Sequence, residues 1–198
     1  FLKQFEQAEL HYTMIPPTHS LYFESIRNIA LNNSKMNKFI EGEVYLLKLI
    51  SQHPNEGSLL VALGDLYRFQ KKYDQAIKYY SDIINTKKDN LSEKWRLLYL
   101  RGICYERSSQ WALAEIDFLE SLKLKSDSPQ VLNYLAYGWL ELDLHLDRAL
   151  QMLQKAYAGN PNSYYILDSL AWAYYKKNNL DKAVQLMEEV ISLAPGEA

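Results

Sequence analysis

Along this chain apolar residues return every three or four positions and almost never alternate strictly with polar ones, a period that predicts one helix after another and no strand. Glycine (7) and proline (6) are few enough to leave those helices uninterrupted. The pattern also repeats on a longer scale. Small residues fall in the middle of alternate helices at Ala30, Gly64, Gly102, Ala136 and Ala171, spaced by 34, 38, 34 and 35. A second series, Gly42, Ala76, Ala114, Ala149 and Ala183, follows the first by 12, 12, 12, 13 and 12. Each unit therefore reads as two helices whose small residues let the backbones approach closely. Large residues surround that contact. Asn33, Tyr67, Tyr105, Trp139 and Tyr174 stand three places after the first series; Leu46, Tyr80, Phe118, Leu153 and Met187 stand four places after the second. Pro54, Pro161 and Pro195 lie 12 places beyond members of the second series, where a helix has to end.

Two places break the period. The 4 extra residues between the second and third units fall in "TKKDNLSEKW", where Asn90 with Glu93 reads as an N-cap pair and predicts that the third unit's first helix starts a turn early. The single extra residue of the fourth unit falls in "ELDLHLDRA", a turn between helices.

With these features, stretches such as "LGDLYRFQKKYDQAIKYY" and "LAWAYYKKNNLDKAVQLMEEVISLAP" resemble the tetratricopeptide repeat (TPR) family. The resemblance covers roughly residues 23 to 197 in five units, 23–56, 57–90, 91–128, 129–163 and 164–197, and residues 1–16 resemble the closing helix of an earlier unit. It implies an all-α fold, a right-handed superhelical solenoid of antiparallel helix pairs, with first helices lining a concave groove and second helices forming the outer wall. The opening "FLKQFEQAEL" reads as the interior of an amphipathic helix, so the chain is expected to be a fragment of a longer protein. At the other end nothing covers Val184, Met187 and Ile191, where either further chain or a second copy is expected, the latter giving a homodimer through terminal helices. The order of "LHYTMIPPTHSLYF", "QVLNYLAYGWLE" and "YYILDSLAWAYYK" is similar to the C-terminal part of long TPR proteins of alphaproteobacteria and their relatives, many of them in the cell envelope. Some related envelope lipoproteins are similar in the last two of these motifs and act as adaptors that bring substrates to a processing protease. The resemblance thus points to the bacterial cell envelope, with the cytoplasm as the alternative.

Charge narrows the partners. Lys+Arg 22 against Asp+Glu 24 leaves a formal charge of −2, no net pull toward nucleic acid or anionic lipid, and no run of 18 apolar residues spans a membrane. Pentatricopeptide RNA readers share the helix-pair period but use polar code positions in a basic groove, which this chain lacks. The lysine pairs Lys71-Lys72, Lys87-Lys88 and Lys176-Lys177 sit at or near predicted helix ends and read as solubilising turns.

Chemistry is sparse. His11, His19, His53 and His145 lie far apart and Cys104 is alone in an apolar run, so neither a metal site nor a cofactor is expected, and the thiol reads as buried and inert. Asp168 and Ser169 are adjacent, but consecutive helix residues point about 100° apart, and no histidine or oxyanion motif accompanies them. The chain therefore reads as non-catalytic.

Helical spacing places Arg27, Asp65, Arg68, Tyr99, Ile103, Asn133, Tyr137, Asp168, Trp172 and Tyr175 on the groove face of the first helices. The first half mixes charges; the second gathers aromatic rings around Asn133 and Asp168. Tyr and Trp carry large contact area on few rotatable bonds, so a protein or extended peptide with apolar or aromatic side chains, and one basic group near Asp168, is the expected partner. The Lys/Asn/Arg carboxylate clamp of some TPR domains is not matched, since the corresponding places read Arg27 and Leu31, Ala62, then Arg96 and Leu100.

Overall fold

The computed structural model describes residues 2–16, 18–36, 38–86 and 93–194. Those residues form eleven helices and no strand: α1 (Leu2–Thr13), α2 (Tyr22–Lys35), α3 (Phe39–Gln52), α4 (Gly57–Phe69), α5 (Tyr73–Ile84), α6 (Lys94–Arg107), α7 (Trp111–Leu124), α8 (Pro129–Glu141), α9 (Leu146–Gly159), α10 (Tyr164–Lys176) and α11 (Leu180–Leu193). The fold is all-α, and α2 to α11 run as successive helix pairs. None of the described helices is long and apolar enough to cross a membrane.

The turn inside each pair is built the same way. The backbone N–H of Lys72 donates to the Tyr67 carbonyl at 2.9 Å, and Gln110 to Tyr105, Leu144 to Trp139 and Asn179 to Tyr174 repeat that bond at 2.8 to 2.9 Å. The residue before each donor, Lys71, Ser109, Asp143 or Asn178, is left-handed with φ between 54 and 61°. This is the closing geometry that satisfies the last carbonyls of a helix. Its acceptors are the large residues three places after the first small series, so one position both fills the seam and ends the helix.

Helix starts are also local. Ser163 and Asn179 accept backbone N–H bonds from Ile166 and Lys182, Glu56 accepts from Ser58, and Pro129 occupies the first turn of α8. Pro54 and Pro161 follow the ends of α3 and α9 as expected; Pro195, Asn90 and the Lys87-Lys88 pair lie outside the described residues.

The fourth unit's extra residue does lie in its turn, Leu142 to His145, where His145 adds a second left-handed residue (φ 48°) and sets its ring edge against Trp139. The third unit differs from expectation. Helix α6 begins at Lys94, eight places before Gly102 against seven before the small residue of α4, α8 and α10, so it gains one residue and not a turn. Helix α5 stops at Ile84, two residues short of the pattern set by the other second helices.

The chain forms two compact units, Phe1–Leu91 with Leu100–Ala114, and Ser92–Tyr99 with Glu115–Ala198. In the first, the core holds Leu46, Leu59, Leu63, Leu66 and Tyr80, all at 0% exposure, and Tyr80 lies across Gly64 so closely that a Cβ there would stand 2.8 Å from its ring. In the second, Trp139, Phe118, Leu135 and Leu153 are fully buried. The Trp139 indole donates to Glu115 Oε1 at 2.6 Å, and Tyr67 makes the equivalent 2.6 Å bond to Glu43 in the first unit. Both acids follow a small residue of the second series, so the seam carries its own polar anchor.

Candidate functional site

The residues expected on the first helices divide between the two units. In the first unit, Arg27 of α2 and Asp65 and Arg68 of α4 come together around a carboxylate at 1% exposure. Asp65 Oδ2 accepts from Arg27 Nε at 3.3 Å, while Oδ1 accepts from Arg68 Nη2 at 3.3 Å and from the Tyr80 hydroxyl at 2.7 Å. Arg68 Nε also donates to the Tyr80 oxygen at 3.3 Å. A buried charge persists only when paired and hydrogen-bonded, and both oxygens of Asp65 are. Burial works to lower the Arg68 pKa, but Tyr80 and Asp65 more than offset it, and the same burial pushes the Tyr80 phenol well above its ordinary value. The two guanidiniums keep 27% and 20% of their side-chain surface in solvent.

Tyr80 was not among the expected site residues. The available signal is chemical: it is the one hydroxyl in the series Leu46, Tyr80, Phe118, Leu153, Met187, and an acid stands at the facing place. Ile103, expected on the groove face, keeps only 9% of its surface exposed, and Cys104 beside it is buried with its thiol pushed up to about 12 by desolvation.

In the second unit the aromatic residues are held near the surface. Trp172 of α10 stacks on Tyr175 with centroids 5.1 Å apart and planes at 10°, and its indole N–H donates to Glu141 Oε1 at 3.0 Å. The Lys176 ammonium lies 5.4 Å from the Trp172 ring and bonds Asp143 at 2.7 Å, while Lys177 pairs with Asp147. The Lys176-Lys177 pair thus links the end of α10 to the α8–α9 turn and to the first turn of α9. Tyr175 is 53% exposed and Tyr137 of α8 is 42% exposed. Asp168 is exposed too, with its carboxyl raised above the usual range by partial desolvation.

Asn133 is buried at 7% exposure and its Oδ1 has no hydrogen-bond partner among the described residues. Tyr99 turns toward packing, with ring contacts to Phe118 and Tyr134 at 6.2 and 5.5 Å. Ser169, adjacent to Asp168, donates its hydroxyl to the Tyr165 carbonyl at 3.0 Å.

Helix pairs with a seam of small residues and side chains gathered on the first helices define a helical-repeat binding protein. Tetratricopeptide-repeat family models match residues 61–129 and 145–198. The chain belongs to the TPR family. A TPR repeat-containing protein of Pseudomonas aeruginosa is 27% identical over 103 residues, covering 52% of this chain and 18% of its own length, so the chain spans less than a fifth of that relative. Among solved structures, MamA from Desulfovibrio magneticus RS-1 is similar with a TM-score of 0.70 at 16% identity, over 88% of this chain and 96% of MamA. YrrB, described as a TPR protein with an unusual peptide-binding site, gives 0.64 at 16% identity over 100% and 95%. PilF of Pseudomonas aeruginosa gives 0.78 at 17% over 98% and 86%. At these identities the structures support the TPR solenoid fold, and the repeats mark the chain as a protein–protein interaction scaffold.

Proposed function

We propose that the chain is a non-catalytic scaffold that binds a peptide or protein segment through the first helices of its pairs. The observation that carries this reading is the Trp172–Tyr175 stack, fixed by Glu141 while Tyr175 stays 53% exposed. Large rings kept at the surface in one rotamer lose little entropy on binding, which is the property of an interaction hot spot. Exposed Tyr137 and the acid Asp168 add a second ring and a place for a basic group, and Asn133 Oδ1 is an acceptor left over. The peptide-binding site ascribed to YrrB, a protein of the same fold, supports a peptide as partner. The bacterial TPR relative supports a bacterial scaffold, and an adaptor of the bacterial cell envelope is the role we propose for the chain.

Affinity capture with the intact chain, followed by identification of what is retained, tests this. Trp172→Ala combined with Tyr137→Ala is expected to weaken capture at least tenfold, roughly the loss of one hot-spot anchor. Unchanged capture by a variant with normal circular dichroism would remove the reading.

A second reading rests on α11. Leu180, Val184 and Ile191 recur on one face at 50%, 58% and 50% exposure, a stripe suited to a second copy. Light scattering at high concentration that shows a monomer would count against self-assembly through it.

A further inference from the structure

We infer that the Arg27–Arg68 pair is a receptor for a carboxylate on an acidic side chain of the bound segment, a role for the first unit that shape and aromatic content do not assign. The inference rests on the scaffold reading and adds the chemistry of one partner residue.

Two guanidiniums meet one carboxylate here, so the cluster holds a surplus positive charge. Asp65 needs only one arginine to be neutralised, and it already accepts from Tyr80 at 2.7 Å. The second arginine exceeds what the buried acid requires. Its donors remain free as well. Arg27 bonds Asp65 only through Nε, and Arg68 uses Nε and Nη2, so both terminal nitrogens of Arg27 and Nη1 of Arg68 carry no hydrogen bond among the described residues.

The forks are also immobilised. Each guanidinium is tied to Asp65, and the Arg68 fork lies 4.5 Å from the Phe69 ring centroid. Planar forks held on side chains that are 27% and 20% exposed suit a carboxylate better than freely moving surface lysines do. A partly desolvated like-charge pair also gains more from an anion than two solvated charges would. Phe69, 43% exposed beside Arg68, offers an apolar surface to the residue next to the acid. The occupant is therefore an acidic side chain flanked by an apolar one.

The probe is an N-acetylated, C-amidated hexapeptide of alternating Glu and Leu, with its Gln-for-Glu counterpart, titrated into the nitrogen-15-labelled chain while the arginine Nε–Hε cross-peaks are followed. Movement of the Arg27 and Arg68 cross-peaks with the Glu peptide, absent with the Gln peptide, is the expected result. Arg27→Gln should weaken binding about tenfold, the scale of one charge-assisted hydrogen bond. Arg27→Lys, which keeps the charge and loses the fork, should weaken it severalfold and decides the matter if Arg27→Gln melts early.

Three results would overturn the inference: no movement of either cross-peak, equal binding of the Gln peptide, or equal binding of a Gln peptide that bears a free C-terminus, which would assign the site to a chain end instead. Failure here with partner capture still dependent on Trp172 and Tyr137 leaves the scaffold standing without this receptor. Success here with capture indifferent to those rings separates the two in the opposite sense.

Discussion

Asp168 stands at an exposed place on α10, yet desolvation holds its pKa above the ordinary carboxylate value. A folded-state pKa above the unfolded one means that the carboxyl favours the fold in its protonated form. That contribution is complete below the unfolded pKa and is lost as pH rises through the folded pKa. Asp168→Asn, neutral throughout, should therefore melt slightly above the wild type at pH 7, with the gap closing below about pH 3. Thermal melts at the two pH values check it; an equal gap at both would mean that ionisation is not the cause. The same substitution should weaken capture of a partner that brings a basic group, so stability and binding move in opposite directions at this residue. A residue that costs stability where it stands is what a binding surface requires.

Among the elements, the seams are built from small residues with unequal clearance. A Cβ on Gly42 would meet Asn33 Cβ at 3.4 Å, an ordinary contact, whereas a Cβ on Gly64 would stand 2.8 Å from Tyr80 Cε1. Tyr80 cannot retreat, because it is fully buried and its hydroxyl is held by Asp65 and Arg68. Gly42→Ala should then stabilise α3 by about 0.5–1 kcal/mol through helix propensity, while Gly64→Ala should cost about 1–3 kcal/mol through overpacking. Urea unfolding of the two variants separates them, and similar midpoints would show that the α4–α5 seam is looser than its geometry implies. These seams were legible in the sequence because a helix repeats its faces at fixed steps, so Gly42, Gly64 and the large residues that serve them fall on one register. The bonds that cross between helices were not. Spacing set Arg27, Asp65 and Arg68 on one face, but it does not record that Asp65 is sealed beneath both arginines by Tyr80, nor that the Trp172 indole is tied to Glu141. Depth and rotamer depend on what the neighbouring helix supplies, and a periodicity in one strand of sequence does not carry them. Exposure at Tyr137 and near closure at Ile103 differ for the same reason, although both stand one place after a small residue.

For the molecule as a whole, the formal charge of −2 hides two kinds of surface, a first unit with a surplus guanidinium and a second unit with stacked rings and an exposed acid. These surfaces answer differently to salt. Contacts to a partly exposed arginine weaken as the Debye length falls from about 14 Å near 0.05 M to about 4 Å near 0.5 M, whereas burial of aromatic area is little affected by such an increase. Binding of the purified partner should accordingly fall over that range in the wild type, by about tenfold if one charge-assisted contact is lost. Arg27→Gln should begin weaker and show a flatter salt dependence. The Trp172→Ala, Tyr137→Ala double variant should begin weaker and keep the wild-type slope, since it removes area and leaves the guanidiniums in place. Titration calorimetry of the three proteins at the two salt concentrations reads all of this at once. Parallel slopes for wild type and Arg27→Gln would show that the arginines serve Asp65 alone, and a flattened slope in the aromatic variant would show that the rings work by positioning a charge and not by their own contact area.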